Sequence, residues 1–183
     1  MLESAVDPCK VKLIPASIQS KSVIKNLARF YVYELSRYNG EDIPENGLFK
    51  AHDACFNYDS YWREAGHYPF IIRVDDHLAG FVLVNQKGSR SEVDWHLAEF
   101  FILAGFQNKG VGRHVVGLLL NRFSGLWEVA QMPNNLPAIH FWRSVIQQFT
   151  SGQYTETQQQ VHNPHPHEMI IQRFRSPAAF TKI

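Results

Sequence analysis

The most constraining feature of the sequence is an apolar strand that passes through a glycine turn into an apolar helix. Residues 93–103 are mostly apolar, and from Arg113 onward apolar residues recur densely enough for a helix buried on most faces. A helix that begins after such a turn presents unpaired backbone N–H groups at its positive end, and these groups bind phosphate or pyrophosphate. The sequence therefore predicts an anion site at the turn, where Gly110 and Gly112 lack a Cβ that would obstruct a ligand.

Two common nucleotide-binding motifs do not fit this turn. A P-loop would continue with Gly-Lys-Ser/Thr, and no such sequence follows at the required offset. A dinucleotide-binding turn needs a third glycine or alanine three residues after Gly112, where this chain has Val115. Taken alone, the two glycines would indicate only a tight turn and a close contact between helix and strand.

A second motif downstream makes the interpretation more specific. The string Gln107-Asn108-Lys109-Gly110-Val111-Gly112 is similar to the Gln/Arg-x-x-Gly-x-Gly/Ala signature of the GNAT N-acetyltransferases, which bind the pyrophosphate of acetyl-CoA. Further along, residues 135–142 resemble the family's Asn-x-x-Ala-x-x-Leu/Phe-Tyr element at the same spacing. The two motifs occur in the family's order, each on the expected kind of element.

The element order of the whole chain also resembles that family. Apolar periodicity, turn residues and helix caps predict the order β-α-α-β-β-β-α-β-α-β-β, an α/β fold with a mixed sheet and helices on both faces. The predicted helices cover residues 18–38, 53–65, 113–123 and 135–149, and the predicted strands cover 11–14, 68–74, 78–84, 93–103, 127–130, 153–161 and 168–174. A length of 183 residues suits one domain over 1–183, with 1–10 and 176–183 as frayed tails.

The resemblance implies how acetyl-CoA would be bound. Its pyrophosphate would lie on backbone N–H groups of the turn. Its pantetheine arm would lie between the strand before the turn and the strand after the helix. The residues so implied are Phe101, Ile102, Leu103, Gln107, Asn108, Lys109, Gly110, Val111, Gly112, Arg113, Asn135 and Trp142. Arg113 or Lys109 would add positive charge, and Asn135 suits both a CoA-contacting amide and a helix N-cap.

Acetyl transfer to an amine needs a neutral amine, a polarised thioester carbonyl and a proton for the departing thiolate. The family's spacing places His96 where a carboxylate base often stands, and an imidazole with a pKa of about 6.5 can take that proton. The alternative for His96 is a half-exposed histidine with no role. Glu99 is predicted on the opposite strand face, and a carboxylate within so apolar a run indicates a functional role or an arginine partner.

The acid step departs from the family pattern. Where the family usually has a tyrosine, this chain has Trp142, and an indole N–H cannot act as a proton acid at physiological pH. Trp142 is expected to pack against the pantetheine arm instead. Tyr154, in a later predicted strand, is a candidate substitute acid, with simple strand packing as its alternative.

These resemblances imply an N-acetyltransferase that moves an acetyl group from acetyl-CoA to a primary amine of a small molecule or peptide, by direct transfer in a ternary complex. A non-catalytic acyl-CoA-binding or regulatory module on the same fold is the alternative, because the tyrosine is missing. The net charge of +1 and the lack of a long apolar run give no indication of nucleic-acid or membrane partners. We expect a cytoplasmic protein with Cys9 and Cys55 as free thiols, and the family leaves a homodimer open.

Three smaller features have alternative interpretations. The histidines His162, His165 and His167 could bind zinc, but intervening prolines break a regular geometry, so no metal is expected and a solvated loop is favoured. The acidic residues Glu41, Asp42 and Glu45 either attract a cationic acceptor or are only solvated. The aromatic residues Tyr58, Tyr61 and Trp62 either line an acceptor pocket or belong to the core.

Overall fold

The computed structural model describes residues 5–47, 58–88, 93–162 and 166–176. The strands in these ranges are Val11–Pro15 (β1), His67–Val74 (β2), His77–Asn85 (β3), Trp95–Ile102 (β4), Leu126–Gln131 (β5), Tyr154–Val161 (β6) and His167–Arg175 (β7). The α-helices are Lys21–Asn39 (α1), Val111–Arg122 (α2) and Leu136–Thr150 (α3). The seven strands form one sheet in the order β1-β2-β3-β4-β5-β7-β6.

The sheet is mixed, as predicted. Strands β4 and β5 pair in parallel, whereas the other neighbouring strands pair antiparallel. Helices α2 and α3 pack on one face, called here the α2/α3 face, and α1 packs on the other, the α1 face. Strand β3 illustrates the alternation, since Val82 and Val84 belong to the core under α2 and α3, whereas Phe81 and Leu83 belong to the core under α1. The predicted α/β architecture with helices on both faces is confirmed.

The second predicted helix is the element that differs most. Residues 53–57 of it lie outside the described ranges, and the remainder forms only a 3-10 helix at Tyr58–Trp62, followed by a turn. Tertiary contacts hold this short segment, since the Trp62 indole N–H donates to the Ala16 carbonyl at 2.9 Å and Tyr58 is buried in the core under α1. The aromatic spacing that predicted a long helix therefore arises from packing against α1 and the sheet.

The N-terminal segment is more ordered than expected. Residues 1–4 and 177–183 lie outside the described ranges, but 5–10 are tied to the rest of the fold. The Val6 N–H donates to the Lys109 carbonyl at 3.0 Å, and Pro8–Lys10 forms a 3-10 helix leading into β1. A polar composition does not reveal this backbone contact to a distant turn, so the sequence predicted only a tail at residues 5–10.

Strands β4 and β5 meet at one end and separate at the other. At the base, Asp94 and Leu126 exchange two hydrogen bonds of 2.9 and 2.7 Å. Parallel pairing then runs from Trp95 opposite Trp127 to Leu97 opposite Val129, and stops there. Beyond that point each strand continues without pairing to the other. The gap between residues 98–102 of β4 and 130–131 of β5 is called the β4/β5 opening below.

Gly80 allows β3 and β4 to approach closely beside this opening. A Cβ on Gly80 would overlap the Phe101 carbonyl oxygen and lie 3.2 Å from the Ile102 Cα. Because these neighbours are backbone atoms, no rotamer change relieves the overlap. We expect Gly80→Ala to lower the free energy of unfolding by about 1–3 kcal/mol, measured by urea denaturation.

The control for Gly80→Ala is Gly105→Ala. A Cβ on Gly105 would meet nothing within 4 Å. This variant should stay within about 0.5 kcal/mol of the parent protein. Equal stability of the two variants would contradict the close approach of the two strands at Gly80.

Candidate active site

The turn between β4 and α2 leaves the start of α2 without a side-chain cap. The chain reverses through Asn108, with a φ of 58°, and Gly110, with a φ of 84°, both in the left-handed region. Gly110 is the N-cap of α2 and carries no capping side chain. In α3, by contrast, the Asn135 side chain accepts from the Ala138 N–H at 3.2 Å, which confirms Asn135 as an N-cap. The first turn of α2 is thus suited to an anionic ligand.

The two glycines of this turn have different surroundings. A Cβ on Gly110 would meet nothing within 4 Å, whereas a Cβ on Gly112 would lie 3.1 Å from the Phe141 ring. Gly110 therefore keeps the approach to the turn open. The absent Cβ of Gly112 lets α2 pack closely on α3 at the Phe141 ring.

A cavity of about 510 Å³ runs along α2 from this turn. One wall is the N-terminal segment with Val6 and Pro8, and another is the surface of α2 with Gly110, His114 and Leu118. Its volume lies within the usual range for small-molecule sites. The N-terminal residues, expected to fray, thus contribute a wall beside the anion-binding turn.

Two predicted cofactor residues have side chains that link neighbouring elements. The Gln107 amide donates to the Ile102 carbonyl at 2.8 Å and to the Glu34 carboxylate at 3.4 Å. Arg113 donates to the Ser144 hydroxyl at 3.0 Å and to the Gln148 side chain. In this arrangement Gln107 holds the end of β4 to the turn, and Arg113 links α2 to α3. The Gln107 side chain is thus engaged within the fold, whereas Arg113 is exposed and also lines the cavity along α2.

The backbone of β4 presents alternate residues to the opening. The Leu103 N–H donates to the Ala79 carbonyl at 2.8 Å, so Leu103 and, two residues earlier, Phe101 are hydrogen-bonded to β3. The residues between them, Phe100 and Ile102, direct their backbone groups away from β3 toward the opening, where the Ile102 carbonyl also accepts from Gln107. Of the three strand residues predicted to pair with a ligand, only Ile102 faces the correct way. Phe100 was missed because the alternation depends on the pairing with β3.

Aromatic rings line the opening on the α2/α3 face. Phe100 lies with its ring centroid 5.9 Å from that of Phe141 and 5.3 Å from that of Trp142. Trp142 is 6% exposed and belongs to the core under α2 and α3. The position that usually carries a tyrosine in the family therefore holds a buried indole packed against the wall of the opening.

A β-bulge in β4 places Glu99 and His96 on the same face of the sheet. Glu99 stands opposite Leu83, but Leu97 stands opposite Val84, so one extra residue, Ala98, is inserted. In a regular strand, residues three apart point to opposite faces. Here the bulge resets the alternation, and both side chains lie on the α1 face. The prediction of opposite faces is wrong because a bulge leaves no sign in the residue types.

Glu99 is a buried carboxyl whose neighbours are aromatic. It is 4% exposed, and burial raises its pKa to about 8, although a hydrogen bond with Tyr31 of α1 acts in the opposite direction. Burial, followed by the charge of Glu99, raises the pKa of Tyr31 as well. Tyr61 lies near this group, and its hydroxyl accepts from the Asn85 amide at 2.9 Å. A carboxyl with a pKa of about 8 can both hold and release a proton near neutral pH.

His96 stands opposite Glu128, which belongs to a buried ion pair that was not predicted from the sequence. Glu128 of β5 stands opposite His96, is fully buried, and accepts from Arg173 of β7 at 2.7 and 2.8 Å. Burial lowers the pKa of His96, while the Glu128 carboxylate opposes that shift, and the His96 Nδ1 has no hydrogen-bond partner among the described residues. The available signal was an acidic residue within the apolar run Leu126–Gln131, the same signal that drew attention to Glu99.

Tyr154 lies far from this group. A row of paired residues crosses the base of the sheet from Trp95 through Trp127 and Phe174 to Tyr154. This row is where β4 and β5 are still paired, and the Tyr154 ring packs against the core on the α2/α3 face. The structure does not bring Tyr154 to Glu99 and His96, so it does not support Tyr154 as an acid there.

The remaining predicted features are the histidine loop, the two cysteines and the acidic residues after α1. His165 and Cys55 lie outside the described ranges, while Cys9 is an exposed free thiol. Among the described residues no group of three potential ligands is placed to hold a metal ion. Glu41, Asp42 and Glu45 are exposed. In the described part of the chain, none of the helices is both long and apolar enough to cross a membrane.

Comparison with known proteins decides the family. A model of the acetyltransferase (GNAT) family matches residues 32–145, which include both β4 and the turn before α2. The chain belongs to the GNAT acetyltransferase family. The match includes β4 and β5, the two strands that border the opening, and ends within α3. No curated protein sequence matches the chain.

Solved structures share this GNAT fold at low sequence identity. An acetyltransferase from Thermus thermophilus is 14% identical, with a TM-score of 0.61 over 91% of this chain and 97% of that chain. The ribosomal-protein-S18-alanine N-acetyltransferase from Escherichia coli is 11% identical, with a TM-score of 0.58 over 94% and 99%. RimJ from Mycobacterium smegmatis, in complex with CoA-disulfide, is 12% identical, with a TM-score of 0.58 over 90% and 81%. The predicted GNAT fold is confirmed, and acetyl-CoA is the donor that the family implies.

Proposed function

We propose that this GNAT protein moves an acetyl group from acetyl-CoA to a primary amine by direct transfer within a ternary complex. The observation that carries the proposal is the buried Glu99 carboxyl at the β4/β5 opening, whose pKa of about 8 suits a proton acceptor for an ammonium group. Family membership supports acetyl-CoA as the donor. The opening borders both faces of the sheet, so acetyl-CoA and the amine could approach it from different faces. The acceptor would be a small molecule or the amine of a peptide.

The donor is assigned to the α2/α3 face. Backbone N–H groups of Val111 and Gly112 would hold the pyrophosphate, beside the open approach at Gly110, with Lys109 adding positive charge. The cavity along α2 would take the nucleotide end, because it begins at the same turn. Arg113 lines the same cavity and would add positive charge there, although its guanidinium also contacts α3.

The pantetheine arm would enter the β4/β5 opening from that side. Backbone groups of Phe100 and Ile102 face the opening, and Trp142 lies on its wall. An extended chain with amide groups suits such a strand edge, because it can pair with backbone as a neighbouring strand would. The thioester would then reach the α1 face near the bulge at Ala98.

Glu99 would act as the general base on the α1 face. Its carboxylate accepts a proton from the incoming ammonium group, and the neutral nitrogen forms the new C–N bond at the thioester carbonyl carbon. The C–S bond then breaks as the nitrogen, now bonded to the acetyl carbon, gives up its second proton, and the departing sulfur takes up a proton, directly or through water, to give the free thiol and the amide. Tyr31 orients the Glu99 carboxyl by its hydrogen bond. Positioning of the two substrates supplies much of the remaining acceleration.

His96 would assist on the same face. Its lowered pKa keeps the imidazole neutral at pH 7, and a neutral imidazole can accept a proton directly or through water. The buried Glu128 next to it would hold the ring in one orientation.

A non-catalytic acyl-CoA-binding module is the second candidate, and one observation favours it. Trp142 is buried at the position where the family usually carries a tyrosine acid, so the sulfur has no acid there. A screen with a panel of primary amines separates the two candidates. Release of CoA in proportion to an acetylated amine supports the enzyme, whereas tight acetyl-CoA binding with no turnover on any amine supports the module.

The cofactor assignment is tested by Gly110→Trp. Because the approach to Gly110 is open, the indole can be accommodated, but it would occupy the space from which a pyrophosphate reaches the turn. The positive φ adds backbone strain of about 1 kcal/mol. We expect calorimetric titration with acetyl-CoA to show at least a hundredfold loss of affinity, or about 2.7 kcal/mol.

Gly40→Trp is the matched control for that substitution. Gly40 also has a positive φ, of 71°, and a Cβ there would meet nothing within 4 Å, but the residue lies after α1 rather than at the turn. The free energy of unfolding should fall by a similar amount in both variants, whereas only Gly110→Trp should lose affinity for acetyl-CoA. Titrations with ATP and NAD test selectivity. Unchanged acetyl-CoA affinity in a folded Gly110→Trp protein would refute the assignment.

A further inference from the structure

A chain of polar side chains crosses the sheet under α3 and ends at the β4/β5 opening. Arg143 of α3 donates to the Glu156 carboxylate of β6, with its Nε at 2.9 Å from one oxygen. The Gln172 amide of β7 donates to the same carboxylate at 2.7 Å. The Gln131 amide of β5 donates in turn to the Gln172 carbonyl oxygen at 3.4 Å. Gln172 is fully buried and Gln131 is 5% exposed, so the inner end of this chain is shielded from water.

The direction of these hydrogen bonds is determined from one end. An ionised carboxylate only accepts, and the guanidinium of Arg143 keeps the pKa of Glu156 below its ordinary value. Gln172 must therefore turn its NH₂ group to Glu156 and its carbonyl to Gln131. Gln131 must then turn its NH₂ group to Gln172, which leaves its own carbonyl oxygen at the end of the chain. That buried oxygen has no hydrogen-bond partner among the described residues.

The Gln131 carbonyl is located beside the opening on the face assigned to the donor. Gln131 is the last residue of β5, two residues beyond Val129, where pairing with β4 stops. It shares the α2/α3 face with Val129 and Trp127, which lie two and four residues earlier. Phe100 of β4 and Trp142 of α3 border the opening on this face. Gln131 is thus a fixed acceptor at the edge of an otherwise aromatic passage.

We propose that the Gln131 side-chain carbonyl accepts a hydrogen bond from an amide N–H of the pantetheine arm of CoA. The inference rests on the proposed function, because it assumes that this arm passes through the opening. A buried acceptor without a partner is destabilising, and a ligand that supplies the missing donor recovers that energy. Arg143, Glu156 and Gln172 act as positioning residues that prevent the Gln131 amide from turning its NH₂ group toward the ligand.

The test compares two ligands on Gln131→Met, a substitution of similar length without an acceptor. We expect the affinity for CoA to fall about tenfold, because one buried hydrogen bond is lost. The affinity for adenosine 3′,5′-diphosphate, the nucleotide end of CoA without the pantetheine arm, should not change. Gln160→Met, at an exposed position of β6, is the matched control and should change neither affinity. Thermal melting confirms that each variant is folded.

The outcomes separate this inference from the proposed function. A folded Gln131→Met protein that binds CoA as tightly as the parent protein overturns the inference. An equal loss of affinity for both ligands also overturns it, because the effect would then not depend on the pantetheine arm. Either result leaves the proposed function intact as long as the parent protein binds CoA. A parent protein that binds neither ligand overturns both.

Discussion

Glu99→Gln should lower kcat/KM for the amine acceptor about 10²–10⁴-fold, the range typical for loss of a general base. Glutamine keeps the size and hydrogen-bonding capacity of the side chain next to Tyr31 but cannot accept the proton. Affinity for acetyl-CoA should stay the same, because Glu99 lies on the α1 face and the donor is assigned to the α2/α3 face. Glu168→Gln, at an exposed carboxylate of β7, is the matched control and should keep full activity.

The pH profile gives an independent measurement of the same group. The base acts when deprotonated, so kcat/KM of the parent protein should rise with pH and level off above the Glu99 pKa of about 8. Glu99→Gln should lose this limb of the profile. A variant that retains high activity and the same rising limb would show that another group, with His96 as the first candidate, accepts the proton.

Glu99 should also make folding stability depend on pH. Burial raises its pKa in the folded protein from 4.5 to about 8, so between these values the folded state binds more protons than the unfolded state. The contribution of Glu99 to stability is therefore greatest below pH 4.5 and is lost as pH rises toward 8, by an amount on the order of several kcal/mol. The free energy of unfolding of Glu99→Gln, measured by denaturation over the same pH range, should lack this contribution.

Arg173→Met should lower the free energy of unfolding by about 3–5 kcal/mol at pH 7, because it removes the guanidinium that neutralises a buried carboxylate. The Glu128 side chain is fully buried and that of Arg173 is 19% exposed, so water cannot replace the lost cation effectively. Denaturant titration measures the change. Arg175→Met, at the exposed end of the same strand, should change stability by less than about 0.5 kcal/mol.

A double variant separates the charge from the packing of Arg173. Combining Arg173→Met with Glu128→Leu removes both charges, and the stability lost in the single variant should be largely recovered. A loss below about 1 kcal/mol for Arg173→Met alone would contradict the assignment of Glu128 as a carboxylate that depends on this ion pair.

Much of the fold could be predicted from the sequence because its signals are local. Two β-rich runs on either side of the turn at Asp75 predicted β2 and β3, and helical periodicity with Gly40 at its end predicted α1, where Gly40 adopts a φ of 71°. The turn before α2 was identified from its residue types, and Gly110 indeed caps the helix in the left-handed region. Asn135 was identified as an N-cap for the same reason, since capping depends on one side chain and the next three residues.

The candidate site was only partly predictable, because its geometry depends on contacts between distant segments. Residue types alone identified the chemically unusual positions, namely Glu99 in an apolar strand and Trp142 in place of a tyrosine. Only the assembled sheet shows that a bulge brings Glu99 and His96 to one face, and that Tyr154 lies away from both. The same holds for Gln131, which ends a hydrogen-bond chain beginning three elements away. Residue type limits the chemistry available, but strand register and pairing set the direction of each side chain, and both arise only when the whole sheet assembles.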